Sequence, residues 1–376
     1  MNCSNLKIIQ SFEFPEACIA MKMTEDKTHI ITCGSYKPQL RIYDLNELNL
    51  KVERHMESEG KKIEILEEDY GKIAILRNDR YIEFHAKYGL HHLVRIPKLG
   101  NDLSFNKISA ELLICGDSSD IYRFNLEQGR FFKSLISECD NINSIKTNPV
   151  HNLICGVGNK ITFFDPRSRN CLKNFVSENV EEYSSISFNN NGINFCVGTE
   201  DGNIIVYDLR SKKELFIKKH QNENKIKEIL YSDKNIYSLD QKTLNIWNLN
   251  QDLLKIETGF VQNTFIVDDG FVSIGGDTPE IHCYYSSILG KSPTWCTQMD
   301  TLDLNSKNIN LDNFVIITKK EMQDYNLQSY LEKGKIFQHL NRYMIDSNLY
   351  NSLTNKNTKI ETRKTKEIKK NYKLIK

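Results

Sequence analysis

Seven times along this chain a β-rich stretch closes on an aromatic residue followed by a polar one, at a spacing close to forty residues. The copies are Arg41-Ile42-Tyr43-Asp44, Ile82-Glu83-Phe84-His85, Tyr122-Arg123-Phe124-Asn125, Thr162-Phe163-Phe164-Asp165, Ile205-Val206-Tyr207-Asp208, Asn245-Ile246-Trp247-Asn248 and the weaker His282-Cys283-Tyr284-Tyr285. Their aromatic residues, at 43, 84, 124, 164, 207, 247 and 284, stand 41, 40, 40, 43, 40 and 37 residues apart. A unit of this length with several short strands cannot cover its own apolar faces and must stack on its neighbours. The pattern predicts an all-β fold: a seven-bladed β-propeller of the WD-repeat kind.

The fifth repeat shows the layout of one blade. Residues 185–188 read as the inner strand, Asn191-Gly192 as a turn and 194–198 as the second strand. The Asp201-Gly202 pair makes the hairpin into a third strand at 204–208, because glycine accepts the positive φ such turns need. Residues 215–218 form an outer strand, where lysine and glutamate are expected to face solvent. The phenylalanines, tyrosine and tryptophan at 84, 164, 207 and 247 are expected to be wedges between blades, not base-stacking platforms. Residues 1–290 are assigned to the propeller, with a strand at 6–12 completing the last blade so that no edge is left open.

Beyond the ring the pattern changes. Residues 291–353 read as an extended loop followed by a helical extension. Thr318-Lys319-Lys320-Glu321 has the layout of a helix capping box. Ile336, Leu340, Tyr343 and Tyr350 then recur at helical spacing, which predicts an amphipathic helix of four or five turns. Residues 354–376 read as a disordered basic tail: from 355 onward nine Lys or Arg stand against two Glu, while the whole chain carries a net charge of only +1. Such an asymmetry points to a nearby polyanion.

Several classes of chemistry are disfavoured. The ten cysteines form no C-x-x-C pair. Cys33, Cys115 and Cys155 each precede a glycine nine or ten residues ahead of the blade aromatic, with Cys196 similarly placed in its blade. They are expected to be reduced thiols in a buried inner strand, acting as small hydrophobes. The nine histidines are scattered, and His91-His92 adjoins no cluster of further ligands, so no metal site is expected. No G-x-S-x-G elbow, P-loop or H-E-x-x-H occurs. The expectation is therefore no catalytic residue, no cofactor and no small-molecule substrate. No run of apolar residues approaches the length of a membrane span, so no membrane partner is expected, and the N-terminal residues lack the layout of a secretory signal.

A collinear series of strings carries a further resemblance. These are Tyr36-Lys37-Pro38; Asp69-Tyr70-Gly71-Lys72-Ile73; Asn78-Asp79-Arg80-Tyr81; Arg95-Ile96-Pro97-Lys98-Leu99-Gly100-Asn101-Asp102; and Tyr122-Arg123-Phe124-Asn125-Leu126-Glu127-Gln128-Gly129-Arg130. They continue with Asp165-Pro166-Arg167-Ser168-Arg169-Asn170, Tyr207-Asp208-Leu209-Arg210-Ser211, Leu289-Gly290 with Pro293 and Trp295-Cys296, Val315 with Thr318-Lys319-Lys320, and Met344-Ile345-Asp346 with Leu349-Tyr350. Together they resemble the nucleolar protein 10 family, called essential nuclear protein 2 in yeast. Three features depart from that family: a degenerate seventh blade, a shortened sixth-blade hairpin at Asp240-Gln241-Lys242, and a stop at Lys376 where members usually continue into a long charged extension.

The resemblance implies a non-catalytic scaffold of the small-subunit processome, in the nucleolus or nucleus, acting in early pre-rRNA processing and 40S assembly. The implied partners are other processome proteins, including other propellers, and a small nucleolar ribonucleoprotein particle. Carried onto this chain, the contact residues would be Asn78, Asp79, Arg80, Tyr81, Arg95, Pro97, Lys98, Trp295, Lys319, Lys320, Tyr343 and Tyr350. For Asp79 a second reading is open, that it bonds to backbone or an arginine and simply holds its turn. The basic tail, through Arg363, Lys364, Lys366, Lys369, Lys370 and Lys373, is expected to add sequence-blind contacts to pre-rRNA phosphates. The alternative is a generic WD-repeat adaptor in another cytosolic or nuclear complex.

Overall fold

The computed structural model of the chain describes residues 8–168, 170–175, 180–211, 213–296, 314–317, 322, 336–339, 342–346 and 350. They fall into two compact units, one of Met1–Asp268 with Val272–Tyr284, the other of Asp269–Phe271 with Tyr285–Lys376.

The first unit is a seven-bladed β-propeller. Blade 1 comprises Cys18–Met23, His29–Gly34, Gln39–Asp44 and Asn49–His55, hydrogen-bonded in that order. Blade 2 is built from Gly60–Ile65, Lys72–Arg77, Tyr81–Ala86 and Gly89–Arg95, and blade 3 from Gly100–Asn106, Glu111–Gly116, Asp120–Asn125 and Arg130–Ile136. Blades 4, 5 and 6 repeat the pattern from inner strands Ile142–Thr147, Tyr183–Phe188 and Glu228–Tyr231. Blade 7 has three strands, Gln262–Asp268, Phe271–Gly276 and His282–Tyr285. Each inner strand touches the next, and Gln262–Asp268 returns to Cys18–Met23, so the ring closes.

The repeat signature has a physical explanation at each of its two positions. The aromatic lies in the third strand, and Tyr43, Phe164 and Trp247 are completely buried between blades. The polar residue after it caps the turn to the outer strand. Asp44, Asp165, Asp208 and Asn248 each accept, through Oδ1, the backbone N–H two residues on, at 2.8–3.0 Å, a conformation that short polar side chains favour. Second strands such as His29–Gly34 and Glu111–Gly116 are buried along their whole length, whereas outer strands such as Glu214–Lys219 are mostly exposed. Cys33, Cys115, Cys155 and Cys196 are free and buried in these second strands, one step outward from the axis. Burial pushes their thiols above the ordinary range.

Neighbouring blades are joined by one recurring device. Inner strands begin with a bulge, which re-aims one side chain. The second residue of each start then bonds to the first carbonyl of the next blade. Lys61 donates to the Gly100 carbonyl at 3.0 Å, Asn101 to Ile142 at 3.3 Å, and Asn143 to Tyr183 at 2.8 Å. Ser184 donates to Ile226 at 2.6 Å, Lys227 to Gln262 at 2.7 Å, and Asn263 to Cys18 at 3.3 Å. Only the joint between blades 1 and 2 lacks the latch, because its position is held by the apolar Ile19.

Closure differs from the strand expected at 6–12. Residues 6 and 7 lie outside the described residues, and 8–12 form no strand. The contact with blade 7 is a single bridge, Glu13 to Glu280, flanked by Phe14 N–H to the Pro279 carbonyl (2.7 Å) and Ile281 N–H to the Phe12 carbonyl (3.1 Å). Side chains do the rest: Ile9, Phe12 and Phe14 are buried. Phe12 meets Tyr43 edge to face at 4.8 Å, and Tyr43 Oη donates to the Ser11 carbonyl. Gly34 is required here, since any Cβ would collide with the Phe14 ring.

In the second unit the amphipathic helix expected over 336–350 is not formed. Ile336–His339 and Arg342–Asp346 are antiparallel strands, and Phe314–Ile317 pairs with the latter, Ile317 opposite Tyr343. The spacing of Ile336, Leu340 and Tyr343 suits a helix. The β-branched and aromatic content of 336–345, with the turn-former Asn341 between two short runs, suits a hairpin as well. Pairing with a strand some twenty-five residues upstream decides between them, and no local period reports it. The capping box at 318–321 lies outside the described residues.

Candidate partner-binding surface

The two strings of blade 2 singled out from the sequence meet at one edge. Gly60 pairs with Arg77 and Tyr81 with Arg95, so the start of the inner strand, the 78–80 turn and the end of the outer strand lie together. Ile96 N–H donates to the Arg80 carbonyl at 2.8 Å, fastening the link to the hairpin. Asn78 and Asp79 are exposed, and Arg80 adopts φ 67° at the turn.

A buried arginine missed in the sequence underlies this hairpin. Arg77, only 3% exposed, donates from Nε to Asp79 at 3.0 Å and from Nη1 to Glu83 at 2.5 Å, and pairs with Glu57 at 3.3 Å. Its guanidinium also lies 5.7 Å from the Tyr81 ring centre. Glu83 in turn faces His85 Nε2 at 3.0 Å. Burial alone would raise the Glu83 carboxyl, but His85 and Arg77 hold it below its ordinary value. Asp79 is therefore tied to Arg77 within its own turn, the second of the two readings made of it.

Some residues of these strings serve blade packing. Asn101 is an interblade latch. Asp102, buried, accepts from Ser144 Oγ at 2.7 Å and Ile145 N–H at 3.1 Å in the next blade. Arg123 pairs with Glu111 and donates to the Pro166 carbonyl at 3.0 Å, joining two strings of the series across blades 3 and 4. Arg95, Pro97 and Lys98 do none of this. All three are exposed, and Arg80, Arg95 and Lys98 form no ion pair with any described residue.

The remaining candidates belong to the second unit. Trp295 is half-buried against Phe271, edge to face at 5.0 Å. Tyr343 and Tyr350 are half-buried. Lys319, Lys320 and the tail residues Arg363, Lys364, Lys366, Lys369, Lys370 and Lys373 lie outside the described residues.

Two polar constellations escaped the sequence reading. The central channel carries Lys22, Lys62 and Lys146 with Glu64, Asp102 and Glu228. They neutralise one another through Lys22–Glu64 (2.5 Å), Lys62–Glu228 (3.7 Å) and Lys146–Glu64 (3.9 Å). Between blades 5 and 6, His220, just past the outer strand Glu214–Lys219, bonds Asp240 through Nδ1 at 3.2 Å and Ser238 through Nε2 at 2.9 Å, which has the connectivity of a hydrolase triad. All three are inaccessible to solvent, and Trp247 Nε1 also donates to Ser238 Oγ at 3.3 Å. A nucleophile needs an open approach, so this network fastens blade 5 to blade 6. Among the described residues no group of three metal-ligating side chains occurs.

Residues 2–307 match the family described as "Nucleolar protein 10-like, N-terminal domain". The chain belongs to the nucleolar protein 10 family. Nucleolar protein 10 of Homo sapiens is 34% identical over 373 residues, which cover 93% of this chain and 54% of that protein. The ribosome biogenesis protein ENP2 of Saccharomyces cerevisiae is 30% identical, covering 93% and 52%. The ribosome biogenesis protein enp2 homolog of Schizosaccharomyces pombe is 30% identical, covering 92% and 60%. The chain spans about half the length of the curated relatives it matches. These family members share the span that holds the propeller.

Proposed function

We propose that the chain is a non-catalytic scaffold in ribosome biogenesis, working in the nucleolus within the small-subunit processome. Its role there is to hold assembly proteins during early pre-rRNA processing and 40S formation. The reading draws on relatives named nucleolar protein 10 and ribosome biogenesis protein ENP2. The observation that carries it for this chain is the blade 2 edge. There the side chains of Arg95, Pro97 and Lys98 lie exposed beside the 78–81 hairpin, and Arg95 and Lys98 form no ion pair with any described residue. A closed ring loses little conformational entropy when a partner binds, so a few such residues can specify a contact. Other propeller proteins, a small nucleolar ribonucleoprotein particle and, through the basic tail, pre-rRNA are the partners this role calls for.

The test is purification of the tagged full chain with and without nuclease, alongside depletion of the chain. Small-subunit assembly proteins should co-purify, and depletion should delay early pre-rRNA cleavage. Normal processing after depletion refutes the proposal. Substituting Arg95 and Lys98 by Glu should remove a subset of the co-purifying proteins at unchanged melting temperature.

A further inference from the structure

A second surface lies at the opposite edge of blades 2 and 3. The register pairs Lys72 with Ala86 and Ala86 with Gly89, so this end of blade 2 is the one remote from the 78–81 hairpin. Between the two blades runs an open groove of about 680 Å³, a size that accepts one or two large side chains. Its walls are Leu66, Ile73, Phe84, Phe105, Phe124 and Leu126, with Tyr88 at the rim, 76% exposed. Phe84 is thus only in part a wedge between blades: its ring, 5.8 Å from that of Phe124, is half-buried and forms the groove floor.

The groove runs at Leu66 and Phe105 into an acidic cleft lined by Glu25, Asp26, Glu67, Glu68 and Asp69, with Lys107 as its one basic residue. Three lysines answer these five carboxylates: Lys72 pairs with Glu67 at 3.3 Å, Lys87 with Asp69 at 2.6 Å, and Lys107 with Glu25. Asp26 is held by Thr24 and Thr28, and Glu68 forms no ion pair with any described residue. Glu127, exposed on the groove's far wall, adds another negative charge. The surroundings therefore stay acidic after internal pairing, which repels a phosphate backbone and attracts a cationic peptide.

We propose that this groove docks a short basic segment of a partner protein, in which a Leu or Phe anchor fills the apolar cavity and flanking Lys or Arg residues lie in the acidic cleft. Burial of the anchor supplies affinity and the carboxylates fix direction and selectivity. The inference concerns the surface alone and stands whether or not the chain acts in ribosome assembly.

The test is panning of a random peptide display library against the intact chain, followed by titration of the enriched peptides, labelled with fluorescein. The expected peptides carry a large apolar residue flanked by Lys or Arg, and their affinity weakens as salt rises. Tyr88→Ser, at an exposed rim position, and the pair Glu67→Lys with Glu68→Lys, on an exposed turn, should each weaken binding about tenfold or more at unchanged melting temperature. Three outcomes overturn the proposal: no enrichment, enrichment of acidic or uncharged peptides, or binding that ignores both variants. Concentration-dependent dimerisation abolished by Tyr88→Ser would equally overturn it, assigning the groove to a second copy of the chain.

Discussion

Replacing Asn263 by Ala removes the latch that closes the ring between blades 7 and 1. Its Nδ2 donates to the Cys18 carbonyl at 3.3 Å and to Asp277 at 2.8 Å, and its Oδ1 accepts from Lys227 at 2.8 Å. Lys227 keeps its bond to the Gln262 carbonyl, and Asp277 can turn to water, so the main loss is the acceptor at Cys18. A net hydrogen bond contributes about 1 kcal/mol and an unmade buried acceptor costs roughly 1–3 kcal/mol, giving about 2–4 kcal/mol in all. For a unit of this size each kcal/mol shifts the melting temperature by about 2–4 °C, so a fall of roughly 4–16 °C is expected. Differential scanning fluorimetry or calorimetry reads it directly. The informative control is Asn263→Lys. Equivalent positions in the ring use Lys61, Lys227, Asn101, Asn143 and Ser184 for the same bond, so lysine should restore most of the loss. An Ala variant melting with the wild type, or a Lys variant falling as far as Ala, would refute the reasoning.

Three further outcomes are expected. Deleting residues 1–14 removes the buried Ile9, Phe12 and Phe14, each contributing roughly 1.5–3 kcal/mol; the truncated chain should melt far below the wild type, and Phe14→Ala alone should lose about 3–5 kcal/mol. Asp240→Ala leaves the Lys242 and Thr243 N–H groups without the carboxylate that accepts them at 2.6 and 2.7 Å, a loss of about 3–5 kcal/mol in denaturant titration. Burial alone would raise the Asp240 carboxyl, but His220 and the Lys242 and Thr243 donors hold it below its ordinary 3.8. Its contribution is therefore complete above pH 3.8 and fades as pH falls through the lowered value, so the gap between wild type and Asp240→Ala should narrow in acid. Residues 1–354 should bind RNA more weakly than the full chain and with a shallower salt slope, since the segment beyond carries nine Lys or Arg; equal slopes in filter binding would exclude the tail.

What the repeat made legible was local. Alternating apolar residues, the Asp201-Gly202 hairpin and the Asp or Asn after each blade aromatic act within a few residues of themselves, so the strands and their turns can be read from neighbours in the chain. The 78–81 and 95–98 strings were singled out by the family resemblance, and only the strand register shows that they meet at one edge. Arg77 was not legible, because an arginine in an apolar run discloses nothing until Glu83, Asp79 and Glu57 are folded around it. His220 and Ser238 likewise become one network only when blades 5 and 6 pack together.

Where a side chain's partner lies a blade or more away, the tertiary structure decided. Asn263 reaches Cys18 across 245 residues, and the acidic cleft gathers residues from blades 1, 2 and 3. The helical spacing at 336–343 gave way to a hairpin because a distant strand was available to pair with it. Short-range order follows from backbone preferences that each residue carries with it. Closure, latching and the grooves between blades depend on distances that exist only once the ring has formed.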